Sequence, residues 1–234
     1  MPCARYSADM SETAAQNLAQ VQAEIARACK ISRRKVDDVA LIAISKTHPA
    51  DEITPLLDAG HRIFGENRVQ EAQGKWPALK QAFDGVELHL VGQLQSNKAE
   101  DAVALFDCIH SLDRPSLVKA LAKAMDKAGK KIPCFIQVNI GAEEQKGGCA
   151  IGDVPAMVEQ VREANIPLAG LMCVPPFSIE PAPFFMLLEK LARENGLEGQ
   201  GLGLSMGMSG DYPTAIMLGA THVRVGTALF GARG

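Results

Sequence analysis

Two short stretches near the end of the chain and one lysine near its beginning hold the residue types that could do chemistry. Met208-Ser209-Gly210 before Asp211, and Gly226-Thr227 before Ala228-Leu229-Phe230, are small-residue turns that follow an apolar strand and open a helix. Turns of this kind put backbone N–H groups and a hydroxyl at a helix N-terminus, where unpaired donors and the helix dipole hold a phosphate. Two of them at adjacent strand ends would make a phosphate cup. In His222-Val223-Arg224-Val225 the valines alternate, so Arg224 points to the opposite face, which is the interior if the sheet closes into a barrel. A buried guanidinium needs a partner, and a structural ion pair with a carboxylate of another strand stands beside the ligand-binding reading. Lys46 ends the apolar run Val39 to Ser45. It is read either as a solvated lysine covering apolar surface or as a desolvated amine able to form a Schiff base with a carbonyl compound.

These residues must be positioned by an alternating chain of strands and helices. The strands are expected at 39–45, 61–64, 86–91, 106–110, 132–139, 166–172, 202–206 and 222–225, the first of them a continuous apolar run suited to a parallel strand buried on both faces. Helices are expected between them, with one in front over 11–30, where Leu18, Val21, Ile25 and Cys29 share a face. Residues 1–10 are expected to be a loose tail. The helix over 113–128 carries the clearest boundary signals, with Asp113 as N-cap, Pro115 in the first turn and Gly129 as the stop. Pro55 is expected in a first turn or at a kink, and the helix after Gly65-Glu66-Asn67 is expected to end around Trp76-Pro77. Eight strands in 234 residues predict a single α/β domain over 11–234, a (β/α)8 TIM barrel with an extra N-terminal helix. Alternation alone leaves an open doubly wound sheet in play; the phosphate cup favours the barrel, because such barrels often hold phosphate after strands seven and eight. Lys46 would then neighbour Arg224 across the barrel closure.

A phosphate cup, an arginine and a strand-end lysine on one face suit a phosphorylated aldehyde, and pyridoxal 5′-phosphate (PLP) is the commonest cofactor of that description. An arginine opposite the pyridine nitrogen stays cationic and keeps that nitrogen unprotonated, which weakens the electron sink that carbanion chemistry requires.

Composition removes other classes. A net charge of −3, with 24 basic and 27 acidic residues intermixed, gives no basic stripe for nucleic acid or an anionic membrane. No apolar run approaches a membrane span, and the N-terminal segment lacks the apolar core of a signal peptide, so the expected location is the cytoplasm. The cysteines Cys3, Cys29, Cys108, Cys134, Cys149 and Cys173 form no C-x-x-C pair and most are expected in the core; the histidines His48, His61, His89, His110 and His222 have no metal-binding spacing, so no metal is expected. Dinucleotide and nucleoside-triphosphate fingerprints are absent.

In order along the chain, Ala43-Ile44-Ser45-Lys46-Thr47, Phe64-Gly65-Glu66-Asn67, the run His89 to Lys98, Gly170-Leu171-Met172, Ser205-Met206-Gly207-Met208-Ser209 and the run Val223 to Gly231 resemble the successive signatures of the pyridoxal phosphate homeostasis proteins. The resemblance spans nearly everything from Ala40 to Arg233. It implies a barrel similar to the N-terminal domain of bacterial alanine racemases, with Lys46 as the Schiff-base lysine, Ser209, Gly226 and Thr227 around the phosphate, Arg224 at the ring nitrogen, Asn67 nearby and Met206 lining the pocket. It further implies a role in vitamin B6 homeostasis and in amino-acid and keto-acid balance without an established catalytic reaction. Leu88 departs from the tryptophan usual before the histidine, Gly199 to Gly203 looks like a small insertion, and Pro175 to Pro183 is compact. The loop Glu143-Glu144-Gln145-Lys146 matches the family without an assigned role.

Three functions are weighed. The first is a non-catalytic, monomeric PLP binder that buffers the cofactor or delivers it to apo-enzymes. The second is an alanine-racemase-like enzyme, which needs a second acid/base group, and the chain's tyrosines, Tyr6 and Tyr212, are poorly suited to supply it. The third is a barrel enzyme using Lys46 as a Schiff-base lysine on a phosphosugar. The first is the expectation carried forward.

Overall fold

The structure is a computed structural model that describes residues 3–197 and 203–231, with side chains from residue 13 onward. Its strands are β1 (Ala40–Ile44), β2 (Ile63–Glu66), β3 (Glu87–Leu90), β4 (Cys108–Leu112), β5 (Cys134–Val138), β6 (Leu168–Cys173), β7 (Gly203–Met208) and β8 (His222–Val225). Each pairs in parallel with the next, and β8 pairs back onto β1, with Ile42 opposite Arg224. The helices outside are α1 (Cys3–Ile31), α2 (Ala50–Asp58), α3 (Val69–Ala82), α4 (Ala99–Leu105), α5 (Pro115–Ala128), α6 (Val154–Glu163), α7 (Ala182–Glu194), α8 (Tyr212–Met217) and α9 (Thr227–Phe230). The expected (β/α)8 barrel with a leading helix is the fold.

Strand alternation divides the core into two layers. Leu41, Ala43, Leu88, Leu90, Ile109, Ile136, Val223 and Val225 point outward and join the apolar faces of the helices in one cluster. The alternate positions point inward and are of a different kind. A small apolar group of Cys108, Phe135 and Met172 shares the interior with buried His89, His110, Ser205, Gln137 and Arg224. A polar barrel interior is costly unless its groups are hydrogen-bonded; Gln137 accepts from Gln93 and donates to the Gly147 carbonyl, and the others bond in the chain described below.

Helix α1 covers the closure of the barrel by packing on α2, α8 and α9. Leu18, Val21, Ile25 and Cys29 form its buried stripe, as the 3.6-residue period predicts. Polar contacts fix its angle. Asn17 donates to the Leu229 carbonyl at 3.0 Å, and Arg34, just past the helix, donates to the Ile216 and Ala220 carbonyls at 3.0 and 2.7 Å. The latter satisfy acceptors that the end of α8 would leave open.

Several boundaries differ from expectation for identifiable reasons. Helix α1 starts at Cys3, so the tail expected over 1–10 is helical from its third residue. Pro77 does not stop α3 and Pro55 lies inside α2; fully buried Trp76, Ile53, Leu56 and Leu57 outweigh the loss of one backbone bond at each proline. Asp113 does not cap α5, whose N-cap is Arg114. Its carboxylate instead accepts from Arg114 at 2.6 Å and from the Gly148 amide at 3.4 Å. Gly129 does end that helix, at φ 61°. The insertion expected at Gly199 to Gly203 lies, up to residue 202, outside the described residues.

Candidate functional site

A cavity of about 670 Å³ opens at the C-terminal ends of the strands, the end where barrels of this type carry their sites and in the size range of small-molecule pockets. Lys46, Asn67, Ser209, Arg224, Gly226 and Thr227 all line it. They come from the ends of β1, β2, β7 and β8, so four separate segments of sequence converge on one space.

Lys46 follows β1 in a turn that is held from beneath. Thr47 takes φ 67°, a left-handed conformation uncommon for a β-branched residue, and its amide donates to Glu71. The Lys75 ammonium donates to the Ser45 carbonyl at 2.8 Å and the His48 carbonyl at 2.9 Å, on both sides of Lys46. Lys75 also pairs with Glu66 at 2.9 Å and Glu71 at 3.0 Å. Burial opposes the charged form of Glu71, but the bonds from Lys75 and Thr47 outweigh it and hold its carboxyl below the ordinary value. Glu66 is fully buried and accepts from Ser45 Oγ at 2.6 Å and Trp76 Nε1 at 3.0 Å. Sequence reasoning placed Glu66 in a loop; strand β2 extends through it, and this network is the reason. His48 stacks on Phe230 at 4.3 Å, tying the Lys46 turn to helix α9.

The cup at the ends of β7 and β8 is partly closed on itself. The Gly226 amide donates to Ser209 Oγ at 3.2 Å, and the Met208 amide donates to Asp211 Oδ1 at 2.5 Å. The Thr227 and Ala228 amides head α9, in the first turn where N–H groups have no intrahelical partner. Helices α8 and α9 are short, so the individual amides and hydroxyls, rather than a helix dipole, make this an anion site.

Arg224 is 5% exposed. Among the described residues no carboxylate partner accounts for it: its guanidinium donates to Ser205 Oγ at 2.7 Å and to the Cys173 carbonyl at 2.8 Å, and it also lines the cavity. Burial lowers its pKa, with Cys173 and Asp211 acting in the opposite sense; starting from so high an ordinary value, it stays cationic.

Met206 is the exception among the expected residues. It is fully buried in the outer apolar cluster, whereas Met208 lines the cavity. Strict alternation would put both on one face. The difference arises at Gly207, whose φ of 93° puts it in a conformation that disfavours a side chain, and at the shifted register between Ser205 and Met208. A glycine inside an apolar strand was the available signal. The sequence reading also missed His48, Asp211 and the segment around Pro175, Pro176 and Phe177, all of which line the cavity.

Fold and pocket together define a (β/α)8 barrel of the alanine racemase N-terminal type. The family model described as alanine racemase, N-terminal domain, matches residues 16–234. The pyridoxal phosphate homeostasis protein of Pseudomonas aeruginosa is 41% identical over 227 residues, covering 94% of this chain and 96% of that one. The protein of the same name in Escherichia coli is 36% identical over 229 residues, covering 94% and 96%. Among solved structures, PipY of Synechococcus elongatus with PLP bound has a TM-score of 0.81 at 36% identity, covering 93% of this chain and 100% of PipY. Alanine racemase of Corynebacterium glutamicum shares the fold, with a TM-score of 0.69 at 18% identity, covering 95% of this chain and 61% of the racemase. The chain belongs to the pyridoxal phosphate homeostasis protein family.

Proposed function

We propose that the chain binds pyridoxal 5′-phosphate in this cavity and serves as a non-catalytic, cytoplasmic, monomeric holder of the cofactor that buffers it or passes it to apo-enzymes. The observation that carries the proposal is the convergence of an amine, a guanidinium, a hydroxyl and backbone amides on one cavity. That donor set fits the group: when bound, PLP supplies an aldehyde and a charged phosphate on an aromatic ring. Lys46 would provide the amine that condenses with the aldehyde, releasing water. Ser209, Gly226 and Thr227 would provide hydroxyl and amide donors for the phosphate. Arg224 would hold the ring nitrogen and disfavour its protonation, with Asn67 as a further polar contact. Supporting the reading, the relatives are named for PLP homeostasis, and PipY has a structure with PLP bound.

The absence of turnover follows from the same groups. A ring nitrogen kept unprotonated is a poor electron sink, and a racemase needs a second acid/base residue. Tyr212 does not supply it. Its hydroxyl donates to Glu24 of α1, burial, followed by that bond, raises its pKa well above the ordinary value, and it is not among the residues lining the cavity. Tyr6 lies in α1, its side chain outside the described residues. No helix among the described residues is long and apolar enough to cross a membrane.

Absorbance titration with PLP and with pyridoxal tests the proposal. Wild-type protein should bind PLP at least about tenfold more tightly than pyridoxal, since charge-assisted bonds to a phosphate contribute more than about 1.4 kcal/mol. It should racemise and transaminate no amino acid. Equal affinity for the two compounds would contradict a phosphate cup.

A further inference from the structure

Beneath the cavity, a hydrogen-bonded chain from Arg224 to His89 crosses the barrel interior and ends near Glu87. Arg224 Nη1 is 2.7 Å from Ser205 Oγ, Ser205 Oγ is 2.8 Å from His110 Nδ1, His110 Nε2 is 3.0 Å from His89 Nδ1, and His89 Nε2 is 3.7 Å from Glu87 Oε2. Ser205 and His110 are fully buried and His89 is nearly so. Glu87, at the opposite end of the barrel from the cavity, has an exposed side chain.

Donor and acceptor inventory gives this chain one direction. A guanidinium only donates, so Arg224 occupies one lone pair of Ser205 Oγ. The serine must then place its single proton. His110 is its remaining hydrogen-bond partner, and a buried hydroxyl proton without an acceptor is costly, so Ser205 donates to His110 Nδ1. Neutral His110 therefore carries its proton on Nε2 and donates to His89 Nδ1. Neutral His89 carries its own on Nε2, facing Glu87. The direction Arg224 to Ser205 to His110 to His89 satisfies Ser205 and His110 and leaves the His89 Nε2–H facing the Glu87 carboxylate at 3.7 Å.

We propose that Ser205, His110 and His89 are positioning residues for Arg224: a one-way relay that fixes its guanidinium at the base of the cavity. The ligand half of this inference rests on the PLP reading of the cavity; the relay itself does not. The other titratable groups around the relay are Cys108 on β4, His222 on β8, Asp107 beside Glu87, and Cys173 and Asp211 near Arg224. Burial, then the neighbouring charges of His89, His222 and Arg224, push His110 well below its ordinary value, so the resting relay holds its neutral form.

His89, Cys108 and His110 also bring one donor atom each within 4.8 Å of one another. Both ring nitrogens of His110 are engaged in the relay, and burial in first place pushes the Cys108 thiol well above its ordinary value, so a metal would have to displace the hydrogen bonds just described.

The test uses the full-length apo-protein labelled with 15N-histidine, read by two-bond proton–nitrogen correlation between about pH 5.5 and 8.5, the range that brackets an ordinary histidine. His110 is expected as the neutral Nε2–H tautomer throughout. In Ser205→Ala the His110 Nδ1 resonance should move to that of an acceptor nitrogen that has lost its hydrogen bond, and PLP affinity should fall about tenfold; Ser205→Thr, which keeps the hydroxyl, should restore both. A wild-type His110 protonated on Nδ1, an unmoved His110 Nδ1 resonance in Ser205→Ala, or stoichiometric Zn²⁺ uptake that Cys108→Ser abolishes would overturn the relay. Wild-type protein that takes up no PLP would overturn the reading of the cavity and with it the ligand half, while the tautomer of His110 decides the relay by itself.

Discussion

Ser209 illustrates how one side chain can serve two partners at the site. Its hydroxyl accepts from the Gly226 amide, so it joins the two halves of the cup and keeps its own proton for an anion. Replacing it by alanine should weaken PLP binding about tenfold while leaving the melting temperature of the apo-protein within about 2 °C, because the position is only half-buried; equal binding by Ser209→Ala would remove the serine from the cup. The interior histidines make a different prediction. His222 is brought down to about 4, first by burial and then by the charges of His89 and Arg224, and His110 moves in the same direction. Unfolding frees both to take up protons near their ordinary value, so the unfolded state binds more protons between about pH 6.5 and 4 and stability falls as pH falls through that window. His222 alone should contribute a loss of roughly 2 kcal/mol by pH 5, read as a lower urea midpoint of the apo-protein than at pH 7.5. A midpoint that rises on acidification would contradict neutral burial.

At the scale of elements, the strands and helices were legible because parallel strands buried on both faces read as continuous apolar runs, and helix faces repeat at 3.6 residues. Lys46 at the end of β1 and Arg224 inside β8 could be placed from that alone. What could not be placed depended on local departures from regular alternation. Gly207 turns Met208 rather than Met206 into the cavity. Glu66 looked like a loop carboxylate because nothing in sequence links it to Lys75 and Trp76, which lie in the second turn of α3. The relay histidines were visible only as isolated residues, since His89 and His110 meet through the pairing of β3 with β4, in which His89 lies opposite Cys108. The Glu66–Lys75 pair carries its own prediction. Lys75→Met would leave a buried carboxylate without its cation and release both carbonyls flanking Lys46, costing about 3–5 kcal/mol and lowering PLP affinity. Thermal melting together with PLP titration would check this, and a variant of unchanged stability would contradict the buried pair.

For the molecule as a whole, a closed ladder of eight strands sealed by α1 implies one cooperative unit, since no strand edge is left at which the barrel could separate. Circular dichroism and tryptophan fluorescence, the latter reporting on buried Trp76, should follow one coincident transition; two separated transitions would divide the chain into more than one domain. A ligand that binds only the folded barrel adds RT ln(1 + [L]/Kd), so PLP at about 100 times its Kd should raise stability by roughly 2.7 kcal/mol, and Lys46→Ala should lose most of that gain. The central claim, that Lys46 holds pyridoxal 5′-phosphate, is tested most directly by borohydride reduction of the PLP-treated protein followed by peptide mass mapping. The account predicts a single pyridoxyl group on Lys46, with the visible absorption of the bound cofactor lost on reduction. Labelling spread over surface lysines, or concentrated on any lysine other than Lys46, would contradict it.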